Sequence, residues 1–260
     1  MTVSEQRVVP AEAADAPPRV LQGMTAVVTG GSAGLGRHLA EGFLAAGARV
    51  VCGARAVREA ADLVAGHEDR AAFVPTDVRD PASLRRLMDE TAERFGGIDI
   101  VVANAGITRN GLVTRLAPDD WRAVMSTNVD GVFHTVQAAL PHLRAGGTVL
   151  TVSSAMATRA MPGAGAYATS KAAVEAFTRC CAVELAGRGI RVNCLSPGVL
   201  GVGMGEIVGA DERLRALYWP RMLAGRAGTA REAVDAAVFL VSPAASYVNG
   251  HVFEVNGGLM

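Results

Sequence analysis

Short apolar runs rich in β-branched residues alternate along this chain with longer amphipathic segments, and this alternation restricts the fold more than any other feature. The runs lie at residues 25–29, 49–53, 71–75, 98–103, 148–153, 190–196 and 251–255. Helical periodicity marks 35–46, 57–65, 81–95, 119–143, 166–186 and 230–241. Several runs are almost continuously apolar, as expected of strands covered on both faces of a parallel sheet. Strand and helix in strict alternation predict a single-domain α/β fold: a doubly wound parallel sheet of about seven strands with helices on both faces. The chain has 260 residues, half of them hydrophobic, which is enough for one large core.

The first run opens directly into Thr-Gly-Gly-Ser-Ala-Gly-Leu-Gly at 29–36. Gly30, Gly34 and Gly36 let the chain turn tightly off the strand and bring the next helix close to the sheet. Backbone N–H groups at that helix start, around Ser32, Ala33 and Leu35, then face a pyrophosphate. The plain alternative is a Gly-rich strand–helix turn; the position after the first strand of an α/β chain favours a dinucleotide cradle. The second strand ends Cys52-Gly53-Ala54-Arg55, with no carboxylate to accept from a ribose 2′-hydroxyl. Arg55 can pair with a 2′-phosphate instead, so NADP(H) is expected over NAD(H), which stays possible.

Tyr167 and Lys171 are spaced i, i+4 at the start of a strong helical pattern, so both project from one helix face. A cation beside a phenol lowers its pKa from roughly 10 and makes it a usable acid or base near neutrality. A bare Tyr-x-x-x-Lys also occurs as an ordinary surface pair. Composition favours the chemical reading: Lys171 is the one lysine among twenty-five basic side chains. A chain that uses Arg wherever a generic cation will do has kept an ammonium here, which is compact where guanidinium is a broad fork.

With these motifs stand Asp77-Val78 after the third strand, Asn104-Ala105-Gly106 after the fourth, Asn128 in the long helix, Ser154 after the fifth, and Pro197-Gly198 after the sixth. Tyr167 follows Ser154 by thirteen residues. In this order, over residues 23–260, the chain resembles the short-chain dehydrogenase/reductase family, in particular ketoacyl-carrier-protein reductases and related carbonyl reductases. The resemblance implies a Rossmann-like fold and hydride transfer between a nicotinamide cofactor and a ketone or secondary alcohol. It implies that Tyr167 is the general acid/base, that Lys171 lowers the Tyr167 pKa and holds the ribose, and that Ser154 orients the reacting oxygen. By the same resemblance Asn128 holds a water linking Lys171 to solvent. Asp77 and Val78 flank the adenine; Asn104, Ala105, Gly106, Pro197, Gly198 and Val199 support the cofactor. Ser153 is a neighbouring candidate, and the spacing fits Ser154. Many members carry Thr five residues after the proline; here that position is Val202. Ala33 stands where NADP-using relatives often carry Arg or Lys, which leaves phosphate recognition to Arg55. The other outcomes open to such a chain are an NAD(H)-dependent alcohol dehydrogenase, a non-redox dehydratase or epimerase, and a non-catalytic cofactor-binding regulator.

The remaining sequence sets expectations for context. Residues 1–22 are rich in Ala, Pro and charge and read as a flexible arm ahead of a catalytic domain at 23–260. Residues 199–227 break the strand–helix rhythm and read as a substrate lid carrying Tyr218, Trp219 and Met222. With Met156 and Met161 these would line an apolar, adaptable pocket for a carbonyl or alcohol substrate. Twenty-five basic and twenty-five acidic side chains leave no net charge and no long one-sign run, against nucleic acid or a membrane surface as partner. Cys52, Cys180, Cys181 and Cys194 have no metal-ligand spacing, so no metal site is expected, and free thiols fit the cytoplasm. The family resemblance implies a homotetramer or homodimer.

Overall fold

The computed structural model describes residues 19–56 and 60–260. Most of the expected arm (1–18) and residues 57–59 of the expected second helix lie outside them. Among the described residues seven strands form one sheet in the order β3-β2-β1-β4-β5-β6-β7, every neighbouring pair parallel. The strands are β1 (Thr25–Thr29), β2 (Arg49–Ala54), β3 (Ala71–Pro75), β4 (Ile98–Ala103), β5 (Leu143–Val152), β6 (Arg191–Pro197) and β7 (Val252–Val255). The helices are α1 (Gly34–Ala45), α2 (Ala61–Ala65), α3 (Pro81–Phe95), α4 (Pro118–Met125), α5 (Gly131–Ala139), α6 (Gly165–Leu185), α7 (Met204–Ala210), α8 (Glu212–Tyr218) and α9 (Ala230–Val241). This is the doubly wound Rossmann-like arrangement the alternation predicts.

The two faces of the sheet bury two cores. On one, Leu39 and Phe43 of α1 and Leu240 of α9 pack on Val28, Val50, Ile100 and Leu150. On the other, Leu84, Leu87 and Met88 of α3, Val136 of α5 and Leu185 of α6 pack on Val27, Val51, Val101 and Val149. Burial on both faces is why these strands read as unbroken apolar runs. Leu21, inside the segment expected as an arm, is fully buried, and its N–H donates to Ala46 O at 2.9 Å. Ordered packing therefore begins ahead of residue 23.

Two element boundaries differ from the sequence expectation for clear reasons. The helix expected at 119–143 ends at Ala139, and β5 begins at Leu143, five residues early. Pro141 lies between; its ring and missing N–H stop the helix. The region expected as an irregular lid contains α7 and α8. Asp211 starts α8, its carboxylate accepting from Arg213 N at 2.8 Å and Leu214 N at 3.2 Å. Among the described residues no helix is long and apolar enough to cross a membrane.

Strand order reverses between β1 and β4: the chain moves one way from β1 to β2 and β3, the other from β4 onward. Loops leaving these two strands diverge and open a crevice at their carboxyl ends. A cleft of about 770 Å³ lies there.

Candidate active site

The cleft begins at the glycine turn. Gly30 has φ +65°, a left-handed conformation few side chains adopt, and a Cβ there would stand 2.9 Å from Ala105 Cα. At Gly36 a Cβ would collide with Gly30 O and the Asn104 amide. The turn is thus folded against β4 as tightly as bare backbone allows. Asn104 fixes it: its Nδ2 donates to Thr29 O at 3.0 Å, and its N–H donates to Thr29 Oγ1 at 3.1 Å. Ala33 precedes α1 in extended conformation and supplies no side-chain cap, so first-turn N–H groups are left for another acceptor at the cleft. These features fit a dinucleotide pyrophosphate.

At the adenosine end, Arg55 lines the cleft just after β2. It makes no hydrogen bond or ion pair among the described residues. Asp77 lines the same wall, and its carboxyl is held well below the usual range, at about 2, first by the Arg79 guanidinium and more weakly by Arg55. Arg79 Nε donates to Asp77 Oδ1 at 3.0 Å.

At the other end, α6 presents Tyr167 and Lys171 on one face. Lys171 is buried, and its Nζ donates to Val152 O at 2.8 Å while lying 5.6 Å from the Tyr167 ring centre. Burial pulls its ammonium down to about 8. Ser154, at the end of β5, reaches the Tyr167 phenol with its hydroxyl and also accepts from Met156 N at 3.2 Å. Ser153 points into the protein instead, its hydroxyl within hydrogen-bond reach of Glu175 Oε1 at 2.9 Å and Lys171 O at 3.1 Å. The expected lowering of the Tyr167 pKa is not what this geometry gives. Burial raises it, the Ser154 hydrogen bond opposes that rise, and the nearby Tyr218 phenol adds to it. Lys171 is turned onto the Val152 carbonyl rather than the phenol oxygen, and desolvation wins.

Asn128 is fully buried behind the cleft wall, in a π-helical turn (Ser126–Asp130) between α4 and α5. Its Oδ1 accepts from Ile107 N at 2.8 Å; its Nδ2 donates to Ile107 O at 2.9 Å and Ser170 Oγ at 3.0 Å. It ties the loop after β4 to α6. Of the other expected residues, Gly30, Ser32 to Gly36, Val78, Asn104 to Gly106, Pro197 and Gly198 line the cleft. Val199, Met156 and Met161 do not. Val199 accepts from Gly228 N at 2.9 Å and packs on a small cluster of Ala155, Met222 and Leu259. The methionines sit under the lid, against Tyr218 and Arg221. Sequence reading missed Arg79, Arg109 and Leu200 on the cleft wall, and the buried Glu175. The two arginines lie in the loops that leave β3 and β4, four and six residues past the strand ends, and Glu175 is one i+4 step from Lys171.

A family model described as enoyl-(acyl carrier protein) reductase matches residues 30–260. The 3-oxoacyl-[acyl-carrier-protein] reductase of Vibrio cholerae is 34% identical over 241 residues, 92% of this chain and 98% of that protein. The enzyme of the same name from Thermotoga maritima is 35% identical over 245 residues, with 92% and 99% covered. Among solved structures, a short-chain dehydrogenase from Burkholderia cenocepacia in complex with NADP is 37% identical with a TM-score of 0.87, covering 92% of this chain and 98% of that one. A gluconate 5-dehydrogenase from the same organism, in complex with NADP and tartrate, is also 37% identical at TM-score 0.87, covering 93% and 97%. The chain belongs to the short-chain dehydrogenase/reductase family. It is a nicotinamide-dependent oxidoreductase of that family.

Two outcomes follow from the geometry. Gly36→Ala forces the turn off Asn104, and isothermal titration should show loss of nicotinamide dinucleotide binding. The pH profile of kcat/KM for carbonyl reduction should carry a free-enzyme ionisation near pH 8. Lys171 is charged below that value and neutral above it, so activity declines as pH rises through it; Lys171→Met should lack that limb.

Proposed function

We propose that this protein uses NADPH to reduce a ketone to a secondary alcohol, acting on 3-oxoacyl-type compounds, with Tyr167 as general acid/base. The observation that carries the reading is one cleft with Arg55, which has no hydrogen bond or ion pair among the described residues, at its adenosine end and Ser154, Tyr167 and Lys171 at the other. The bound nicotinamide supplies the hydride in reduction and accepts it in the reverse direction. Ser154 holds the substrate oxygen by a hydrogen bond beside the phenol. Tyr167, kept protonated by burial, donates its proton to that oxygen as negative charge develops there. Lys171, charged below about pH 8, would offer its remaining N–H donors to the ribose hydroxyls, and its positive charge offsets the phenolate left when the proton leaves. Asn128 acts by position, holding Ile107 and Ser170 so that the β4 loop and α6 keep their spacing.

Preference for NADP(H) rests on Arg55, on the lack of any carboxylate at the end of β2, and on the NADP carried by the two Burkholderia structures. The 3-oxoacyl substrate class rests on the names of the relatives. A proton donor paired with an orienting hydroxyl favours reduction at oxygen over a purely regulatory role. A homotetramer or homodimer through α4, α5 and α6 belongs to this reading, because Phe133 and Val183 stand exposed on those helices. So does action in the cytoplasm.

A panel of ketones and 3-oxoacyl esters assayed with NADPH and NADH tests the reaction. Arg55→Ala should raise the Kd for NADPH by roughly tenfold or more, the scale of one charge-assisted hydrogen bond, and leave NADH unchanged. Tyr167→Phe should cut turnover by roughly 10²–10⁴-fold with cofactor affinity kept. Turnover like that of the unaltered enzyme in that variant would overturn the mechanism.

A further inference from the structure

Toward its carboxyl end, β5 changes the way it packs on α6. Val149, Thr151 and Ser153 alternate along one face of the strand. Val149 shares an apolar core with Cys181, Ala182 and Leu185 of α6. Two residues on, Thr151 Oγ1 lies 2.6 Å from Thr178 Oγ1. At the strand end the Ser153 hydroxyl is within hydrogen-bond reach of Glu175 Oε1 at 2.9 Å and Lys171 O at 3.1 Å. Thr178, Glu175, Lys171 and Tyr167 are three or four residues apart, so they share one face of α6. Thr151, Ser153, Lys171, Glu175 and Thr178 are all buried. The seam between strand and helix is thus apolar at one end and hydrogen-bonded at the other, and Ser154 and Tyr167 stand where it meets the cleft.

Packing alone does not call for a carboxyl here. A buried Glu is costly unless it is hydrogen-bonded, and an apolar side chain would fill the same space. What Glu175 gains is a hold on Ser153, the neighbour of Ser154. Ser153 is anchored on its other side by its N–H, which donates to Leu195 O of β6 at 2.8 Å. A second link joins this strand end to α6, from Lys171 Nζ to Val152 O at 2.8 Å. In the proposed mechanism that amine also serves the cofactor, whereas the contact between Ser153 and Glu175 does not involve it. The half-exposed Arg179 guanidinium approaches the other carboxylate oxygen of Glu175, at 3.9 Å.

We propose that Glu175 and Ser153 are positioning residues for the reaction: by holding the end of β5 against α6 they set the distance from the Ser154 hydroxyl to the Tyr167 phenol. Neither touches the reacting atoms. Glu175 grips Ser153, Ser153 fixes the backbone of Ser154, and Ser154 and Tyr167 then meet one substrate oxygen with two hydroxyls. An error in that spacing costs rate more than binding. The pair of Thr151 and Thr178, one step further from the cleft, adds stability to the seam without setting the spacing. The inference rests on the ketone-reductase reading above.

Its test compares Ser153→Ala, Glu175→Leu, Glu175→Gln and Thr178→Val with the unaltered enzyme. Each is assayed in steady-state reduction of ethyl 3-oxobutanoate by NADPH, with the NADPH Kd by fluorescence and the melting temperature alongside. Ser153→Ala and Glu175→Leu should each lower kcat by roughly ten- to a hundredfold, with KM and the NADPH Kd unchanged. Glu175→Gln keeps a hydrogen-bonding partner for Ser153 and should restore most of the kcat. The double variant Ser153→Ala/Glu175→Leu should lose no more than the worse single variant, because both break one link. Thr178→Val should keep its kcat even where it lowers the melting temperature as much as the others do. An equal kcat loss in Thr178→Val, or a loss that Glu175→Gln does not restore, would reduce Glu175 to packing. Unchanged kcat in Ser153→Ala, or a loss confined to KM, would separate the pair from the reacting groups; any of these overturns the positioning role. Ser153→Ala and Glu175→Gln decide the matter if Glu175→Leu fails to fold. An unaltered enzyme inactive on the ketone panel would instead overturn the ketone-reductase reading before any variant is compared, and the positioning role with it.

Discussion

The structure depends on a stitch between the ends of β1 and β4. Asn104 binds the carbonyl of Thr29, and the Thr29 hydroxyl accepts from the N–H groups of Asn104 and Ala105 while donating to Val102 O. These two strands lie on either side of the point where the sheet changes direction. Without a cross-link, their diverging loops would leave a crevice with an unfixed floor. With it, the glycine turn is pressed against β4 until Gly36 has no space for a methyl group. The backbone N–H groups of the first turn of α1 are then held open toward the cleft. On the proposed reading, pyrophosphate recognition is a property of this backbone, enforced by one amide and one hydroxyl.

The opposite end of the cleft is governed by desolvation. Lys171 sits inside the protein with a backbone carbonyl as its partner. A fall in pKa from the ordinary 10.5 to about 8 corresponds to about 3 kcal/mol against the charged form. Burial acts on the Tyr167 phenol in the opposite sense on the pKa scale but to the same end, favouring the neutral group. In the proposed mechanism both groups meet negative charge nearby: the ammonium beside a bound dinucleotide, the phenol beside the oxygen that would receive its proton.

Much of this arrangement is legible in the residues. All seven strands overlap the apolar runs that mark them, most plainly β1 and β2 in the middle of the sheet, where burial on both faces leaves almost no polar interruption. The pairing of Tyr167 with Lys171 follows from helix periodicity alone. What the pattern obscures is tertiary. Helical periodicity runs through Pro141, although proline ends the helix before it. The lid reads as irregular because its two helices are one or two turns long, too short to show a period. Lys171 beside Tyr167 implies a lowered phenol pKa only if the ammonium faces the oxygen, and nothing in a Tyr-x-x-x-Lys spacing fixes that rotamer. The partners of Met156 and Met161 come from the lid some sixty residues away, beyond any local signal.

The scarcity of lysine has a consequence for the chemistry of the whole surface. Every described cation on the outside of this protein is a guanidinium or an imidazole, and the only side-chain amine is 3% exposed at the bottom of the cleft. Reagents that acylate lysine side chains must therefore enter the active site to react at all. Cleavage of the unfolded chain by a lysine-specific protease falls at one bond, between Lys171 and Ala172 in the segment that forms α6. Acylation of the Lys171 amine blocks cleavage there, so this one bond reports whether the cleft was open or filled.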